Sequence, residues 1–402
     1  MYTITQEQPI HIIDAMMGSG KTTYTIDYMN SNSNKKFIYI TPNLSECARI
    51  EQACPRLNFK QPIPDKKYRT KLKSLEGLIE QGDNIASTHA LLKLFTRDTL
   101  DLIIERGYHL VLDEAIEPCE KYNIKQSDLN ILFDSKAIGI AEDNITLVWL
   151  QDAPERGSKF YEEYKLIENG NLVIFDFNSS RSNKQIVIWE LTPNLLNSFL
   201  SVTILTYQFE GSILKPYFDI KGIQYTIDTT TVKTEKKVGH LIEICEDERM
   251  NAVGKHFQSL GHQSLSRSRN KEICETLGKN SYNFVRNICK VSSARVMWTT
   301  FKDTKESIKR KGFTRGFIPL NTKATNEFRD KDVLIYNLNR FMDVPLKSYL
   351  ESRGVKVNED LWALNELLQW IFRSAIRDGK PIRIYLPSRR MRELLKEWLK
   401  EN

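Results

Sequence analysis

The sequence predicts an α/β protein with a parallel sheet in each half of its 402 residues. Three observations lead there. Residues 9–115 alternate short apolar runs with helical stretches, the pattern of parallel strands with helices on both faces. The same alternation resumes over residues 239–402. The first apolar run, Ile10-His11-Ile12-Ile13, passes straight into the Gly-rich turn Ala15-Met16-Met17-Gly18-Ser19-Gly20-Lys21-Thr22-Thr23, a strand–turn–helix layout.

In chain order, strands are expected at 9–15, 36–41, 84–87 and 108–113, and helices at 21–30, 44–53, 71–82, 89–95 and 97–106. Residues 117–201 break the alternation: Asn171–Phe177 and Gln185–Trp189 flank a polar turn and predict a β-hairpin inside an insertion. The β-branched run 201–206 returns to a strand, and the first domain, 1–212, is expected to close near Ser212. The second, 213–402, carries expected strands near 239–244, 294–299, 332–337 and 381–386.

The Gly-rich turn reads as a nucleotide-binding P-loop. Gly18 and Gly20 let the backbone curl so that its N–H groups point at phosphate oxygens, and the helix that follows adds its positive end. Lys21 reaches the β- and γ-phosphates, and the Thr22 hydroxyl ligates Mg²⁺. Ala15 stands where the strict motif has Gly. About ninety residues on, the buried-strand pattern His109–Leu112 delivers Asp113-Glu114-Ala115-Ile116 at its carboxyl end, where open α/β sheets place their chemistry. Asp113 is expected to hold Mg²⁺, and Glu114 to orient and deprotonate the attacking water.

Composition bounds the rest. A hydrophobic content of 41% and charged content of 27% describe a globular chain, and no apolar stretch is long enough to span a bilayer. The N-terminus lacks a basic-then-apolar signal pattern, and the six cysteines form no C-x-x-C pair; reduced thiols and a cytoplasmic location are expected. The net charge of +7 is uneven: residues 1–200 are acidic on balance and 201–402 strongly basic. A basic half suggests a polyanionic partner.

Together these residues resemble superfamily-two helicases and translocases of the DEAD/DEAH-like kind, in a compact two-domain form found among phage and mobile-element genes. The resemblance implies two tandem RecA-like domains, with Ala15–Thr22 as the first motif and Asp113-Glu114-Ala115-Ile116 as the DEAx box. It places Thr41-Pro42-Asn43 and Ser87-Thr88-His89 at nucleic-acid contacts and Thr206-Tyr207-Gln208 at the coupling motif. In the second half it places Thr299, Thr300 and Lys302, and then Thr325 and Asn326, on the nucleic-acid backbone. Gln369-Trp370-Ile371-Phe372-Arg373-Ser374-Ala375-Ile376-Arg377 resembles the Q-x-x-G-R-x-x-R motif, with Phe372 for the glycine and the arginines four apart. Spacing alone puts Gln369, Arg373 and Arg377 on one face of a helix. Arg373 is the first choice for the arginine finger, Arg377 the second.

The implied activity is ATP- and Mg²⁺-dependent movement along nucleic acid, DNA favoured over RNA, in replication or recombination. The alternative is an ATP-switched DNA-binding replication or origin factor without processive unwinding. If phage-encoded, the protein acts in the host cytoplasm. The interval from Asp113 to Thr206 is long for the family, so the insertion is an addition, a wedge, a lid or a docking surface for a replication protein. Two further basic clusters, Lys66–Lys73 around Tyr68 and Lys305–Arg315, are candidate backbone contacts.

Overall fold

Strands buried on both faces must be apolar along their whole length, and Phe37-Ile38-Tyr39-Ile40 and Leu110-Val111-Leu112 are such runs, each residue almost fully excluded from solvent. The computed structural model describes residues 9–179, 182–232, 237–267, 270–320 and 327–402. The first domain supplies β1 (Ile10–Asp14), β2 (Lys36–Thr41), β3 (Ile85–Thr88) and β4 (Tyr108–Asp113). Helices α1 (Lys21–Ser31), α2 (Leu44–Ala53), α3 (Lys71–Gln81), α4 (His89–Leu92) and α5 (Arg97–Arg106) alternate with them. Each expected element is present, α4 being shorter than expected. Local chemistry sets the helix ends. The Thr70 hydroxyl caps α3, Thr96 and Thr99 form a capping box on α5, and Gly82 and Gly107 close both helices in the left-handed conformation.

The insertion contains β5 (Cys119–Lys121), β6 (Ile138–Ile140), β7 (Leu147–Trp149), β8 (Leu172–Ser179) and β9 (Ser182–Glu190). The expected hairpin is β8–β9, antiparallel, with β5 added alongside β9; β6 and β7 form a separate antiparallel pair. Its apolar residues, including Leu129, Leu172 and Trp189, join the same core as Ile12, Ile40 and Leu112. After it come β10 (Ser201–Thr206) and β11 (Tyr225–Asp228). The six-stranded sheet has the order β11-β1-β10-β4-β2-β3, parallel throughout.

The second sheet contains β12 (Ile242–Ile244), β13 (Val296–Thr299), β14 (Val333–Tyr336) and β15 (Ile382–Tyr385). Its order is β12-β15-β14-β13, again all parallel. Trp298, Val333, Ile335 and Tyr385 anchor a core of their own. The protein is thus an α/β chain with two parallel sheets of the tandem RecA-like kind and small antiparallel insertions.

The chain divides into two compact units. One holds the six-stranded sheet, runs to Val232, and includes Asp343–Val357; the other takes Lys233–Met342 and Asn358–Asn402, with the short stretch Ala15–Gly20. The boundary expected at Ser212 therefore moves to Val232, because β11 pairs in parallel with β1 and completes the first sheet. The helix Val344–Ser352 also belongs to the first unit. Its Tyr349 hydroxyl donates to Glu190 Oε1 at 2.6 Å, and its ring meets Phe175 edge-on. Glu190 is buried and also pairs with Lys221 at 2.6 Å. Burial and the adjacent Glu190 charge push the Tyr349 hydroxyl well above its ordinary pKa.

Candidate active site

The registers of the first sheet set the site. Asp14 at the end of β1 lies opposite Thr206 of β10, and Leu205 of β10 lies opposite Asp113 of β4. The Gly-rich turn and the acidic pair therefore leave the sheet at one level, with a single strand between them. Two strand spacings, about 10 Å, separate β1 from β4, room for phosphate groups and a hydrated cation.

The turn has the backbone that the sequence predicts. Gly18 and Gly20 adopt φ of 77° and 98°, the left-handed region where a side chain is strained. A Cβ on Gly20 would meet nothing within 4 Å, so conformation, not crowding, calls for glycine there. The Ser19 amide donates to Met16 O at 3.2 Å and tightens the turn. Ser19 Oγ is buried without a hydrogen-bond partner among the described residues, which leaves a hydroxyl available to an oxygen-rich ligand. Lys21 and Thr22 open α1, both partly exposed, and Thr23 is exposed. Ala15 and Met16 are buried, so the missing first glycine is filled by a small apolar side chain.

Asp113 is held from β2. The Tyr39 hydroxyl donates to Asp113 Oδ2 at 2.6 Å. Burial raises the Asp113 carboxyl above its ordinary pKa, while this hydrogen bond pulls it back down. Burial, with the adjacent carboxylate, raises the Tyr39 phenol far above its usual value, so it remains a donor. Glu114 is exposed and sits at φ 69°, a strained position for a residue with a side chain. Its amide donates to Leu205 O at 3.0 Å, which fixes the acidic turn to β10. The Asp14 carboxylate in turn accepts from the Phe209 amide at 2.9 Å, tying the end of β1 to the segment after Thr206.

The expected nucleic-acid contacts divide by exposure. Thr41, Ser87 and His89 are buried. His89 Nε2 lies 3.2 Å from the Asp113 carbonyl oxygen, so this ring braces the acidic turn instead of facing solvent. Pro42, Asn43 and Thr88 keep accessible surface. In the second sheet Thr299 and Thr300 are fully buried; Thr299 Oγ1 donates to Ile318 O at 2.6 Å, and Thr300 Oγ1 lies 3.0 Å from Thr304 Oγ1. Lys302 is exposed. Thr325 and Asn326 lie outside the described residues.

The single helical face expected for Gln369, Arg373 and Arg377 is corrected. The helix Glu359–Ile371 stops before Arg373, and Arg377 lies on the 3₁₀ turn Ala375–Asp378. The Ala375 amide bonds to Lys331 O at 2.9 Å instead of the carbonyl one turn back, and the Ser374 hydroxyl takes the Ile371 carbonyl at 2.7 Å. Gln369 stays on the helix, exposed, its Nε2 3.2 Å from Asn365 Oδ1. Both arginines belong to the unit built on the second sheet.

Two residue sets escaped the sequence reading. Tyr39 looked like one more strand aromatic; its only signal was a hydroxyl in an otherwise apolar run. Asn337 and Asn339, fully buried directly after β14, form the second set. A polar pair at a strand end was the available clue.

The site and the two sheets define the class: an α/β protein with a P-loop-like turn and a fold that resembles XPD helicases. The S. tokodaii Xpd4 structure matches with a TM-score of 0.52 at 15% identity, covering 98% of this chain and 95% of that one. An XPD helicase structure matches with a TM-score of 0.52 at 12% identity, covering 96% and 94%. At such identities the likeness is one of fold. The SPbeta prophage-derived uncharacterized protein YonV of Bacillus subtilis (strain 168) is 36% identical over 418 residues, 97% of this chain and 98% of that protein. The family described as the YonV C-terminal Rossmann-like domain matches residues 236–399. The chain belongs to the YonV family. Among the described residues no helix is long and apolar enough to cross a membrane.

Proposed function

We propose that this protein is an ATP-dependent nucleic-acid motor, a helicase or translocase that acts on DNA in the cytoplasm of the cell carrying its gene. The observation that carries the reading is the shared level at which β1 ends, directly before the glycine turn, and β4 ends in the Asp113–Glu114 pair, with β10 between them. The donor set fits a nucleoside triphosphate with Mg²⁺: curled amides, a lysine and a threonine hydroxyl on one side, and a hard carboxylate on the other. Lys21, Ser19 and the turn amides hold the phosphates; Thr22 and Asp113 hold the cation. Bound Mg²⁺ supplies neutralisation of charge on the β- and γ-phosphates. Glu114 takes the proton of the attacking water as the γ-phosphoryl group leaves ADP. Arg373 or Arg377 is the cationic residue assigned to the γ-phosphate. The basic second half supports a polyanionic track.

The broken helix at Phe372 favours a second reading, an ATP-switched DNA-binding factor without unwinding, because the cations do not form one rigid row. ATP turnover measured alone and with single-stranded, duplex and forked DNA and RNA tests the first reading, and strand displacement separates the two. A motor is stimulated by its track and releases a strand. A switch shows nucleotide-dependent affinity and releases none. Lys21→Ala is expected to lower turnover about 10²–10³-fold by removing a charge-stabilising donor; full turnover in that variant overturns both readings.

A further inference from the structure

The residues expected to meet nucleic acid at the carboxyl edge of the second sheet, Thr299 and Thr300, have their hydroxyls engaged inside the protein. Another group at that edge is presented outward. Phe257 is 60% exposed, more than any other Phe, Tyr or Trp among the described residues. It stands on the loop 255–261, which lies between the segment after β12 and the end of β14.

The loop is held rigidly from below. Asn339, fully buried, donates through Nδ2 to Phe257 O at 2.7 Å and to Ser259 O at 3.1 Å, and its amide donates to Leu260 O at 2.8 Å. Its Oδ1 accepts from Arg390 Nη1 at 3.1 Å. The buried Arg390 guanidinium lies 5.4 Å from the Phe257 ring centroid and 4.6 Å from that of Phe341. Gly254 lets the loop start this close to β15, since a Cβ there would fall 2.1 Å from Pro387 O. The exposed ring therefore sits on a fixed backbone with a cation behind it.

Lys255 lines a surface pocket of mixed charge, with Glu246, Glu248 and Glu393 beside Arg389, Arg392 and Lys396. Lys255 and Lys302 are exposed and have no ion pair among the described residues. Several nearby carboxylates are engaged: Asp303 with His262 at 3.2 Å and Ser266 at 2.7 Å, Asp360 with Arg390 at 2.6 Å, Glu246 with Lys396 at 2.7 Å and Glu393 with Arg389 at 2.6 Å, while Glu248 remains beside Lys255. The other candidate platform, Tyr68, packs against Gly77 of α3 and is only partly exposed. In the 305–315 cluster, Lys309 pairs with Glu306, Arg310 bonds to backbone carbonyls, and Lys305 lies over the Phe317 ring.

We infer that Phe257 is a base-stacking platform for single-stranded nucleic acid, with Lys255 and Lys302 as phosphate contacts beside it. Every base offers a π-face, so such a platform grips a strand without reading sequence, as a motor needs. The inference rests on the nucleic-acid reading above and places its contact on the 255–261 loop.

The test is fluorescence anisotropy of a labelled oligodeoxythymidylate with the full-length protein. Phe257→Ala is expected to weaken binding about 5- to 100-fold, with thermal stability and DNA-free ATP turnover unchanged. Phe257→Trp is expected to retain affinity and to show quenched indole emission when oligonucleotide is added. Lys255→Ala and Lys302→Ala are each expected to flatten the salt dependence of log K by about 0.7. Wild-type binding matched by Phe257→Ala, or indole emission unmoved by bound oligonucleotide, overturns the platform alone and points to a protein partner for the ring. Wild-type protein that binds no oligonucleotide in any nucleotide state overturns the platform and the nucleic-acid reading together.

Discussion

At the carboxyl edge of the first sheet, Asp113 and Glu114 leave β4 as an acidic pair level with the glycine turn. At the same edge of the second sheet, Thr299, Thr300 and Asn339 turn their polar atoms inward to bond loops together. Both edges follow from parallel strands that end together, yet one presents polar chemistry outward and the other uses it as scaffold. The first edge stores strain at Glu114, and the turn after β1 keeps Ser19 Oγ without a partner among the described residues. The second supports an exposed ring and two exposed lysines on a bonded frame. Topology supplies an edge; side-chain commitment decides what that edge can bind.

If this contrast is right, changes at the first edge alter rate and changes at the second alter stability or affinity. The largest expected effect is Glu114→Gln, which removes the proposed base while keeping the shape of the turn. Steady-state ATP turnover should fall about 10²–10⁴-fold, with nucleotide binding retained in equilibrium titration. A variant that hydrolyses ATP normally would falsify the role given to Glu114.

Arg390→Met should act in the opposite way. The buried guanidinium bonds to Asn339 Oδ1, Arg340 O, Glu359 O and Asp360. Its loss takes a donor from Asn339 Oδ1, Arg340 O and Glu359 O, and about 1–3 kcal/mol of stability should go for each acceptor left unsatisfied. Chemical denaturation measures this, and unchanged stability would break the idea that the second edge is scaffold. Lys21→Ala is the matched control, expected to leave the denaturation midpoint in place.

Tyr39→Phe sharpens the first half of the comparison with the smallest effect. The hydroxyl stabilises the ionised form of Asp113 against the burial that raises its pKa. Without it the carboxyl rises further. Activity that needs ionised Asp113 is present above that pKa and lost as pH falls through it, so the acid limb of the turnover profile should move to higher pH. The Mg²⁺ concentration for half-maximal rate should rise about 3- to 10-fold, the net value of one ordinary intramolecular hydrogen bond. A variant with the wild-type pH profile and Mg²⁺ requirement would reduce Tyr39 to a packing residue.

The first unit was more legible than the second for a physical reason. Its strands carry unbroken apolar runs, and the acidic pair and the Lys21-Thr22 helix start are contiguous residues whose chemistry is local. Position in sequence therefore gave β1 to β4, α1 to α5 and the hairpin β8–β9. The domain boundary was not local: β11 and the helix Val344–Ser352 join the first unit through pairing with β1 and through Tyr349 on Glu190. The Gln369–Arg377 row failed for a related reason. Helical spacing predicts one face only while the backbone ladder continues, and a distant carbonyl, Lys331 O, takes the Ala375 amide.

The two parallel sheets, the glycine turn with its lysine, and the acidic pair at a strand end were legible in the residues alone, because strand period, glycine φ and motif spacing act over a few residues. Long-range packing settled the rest: β1 and β4 end at one level of the sheet, Tyr39 governs Asp113, and His89, Thr299 and Thr300 face inward while Phe257 faces out. Those outcomes depend on which hydrogen-bond donors and acceptors distant segments bring together, and a single stretch of chain carries no record of its partners.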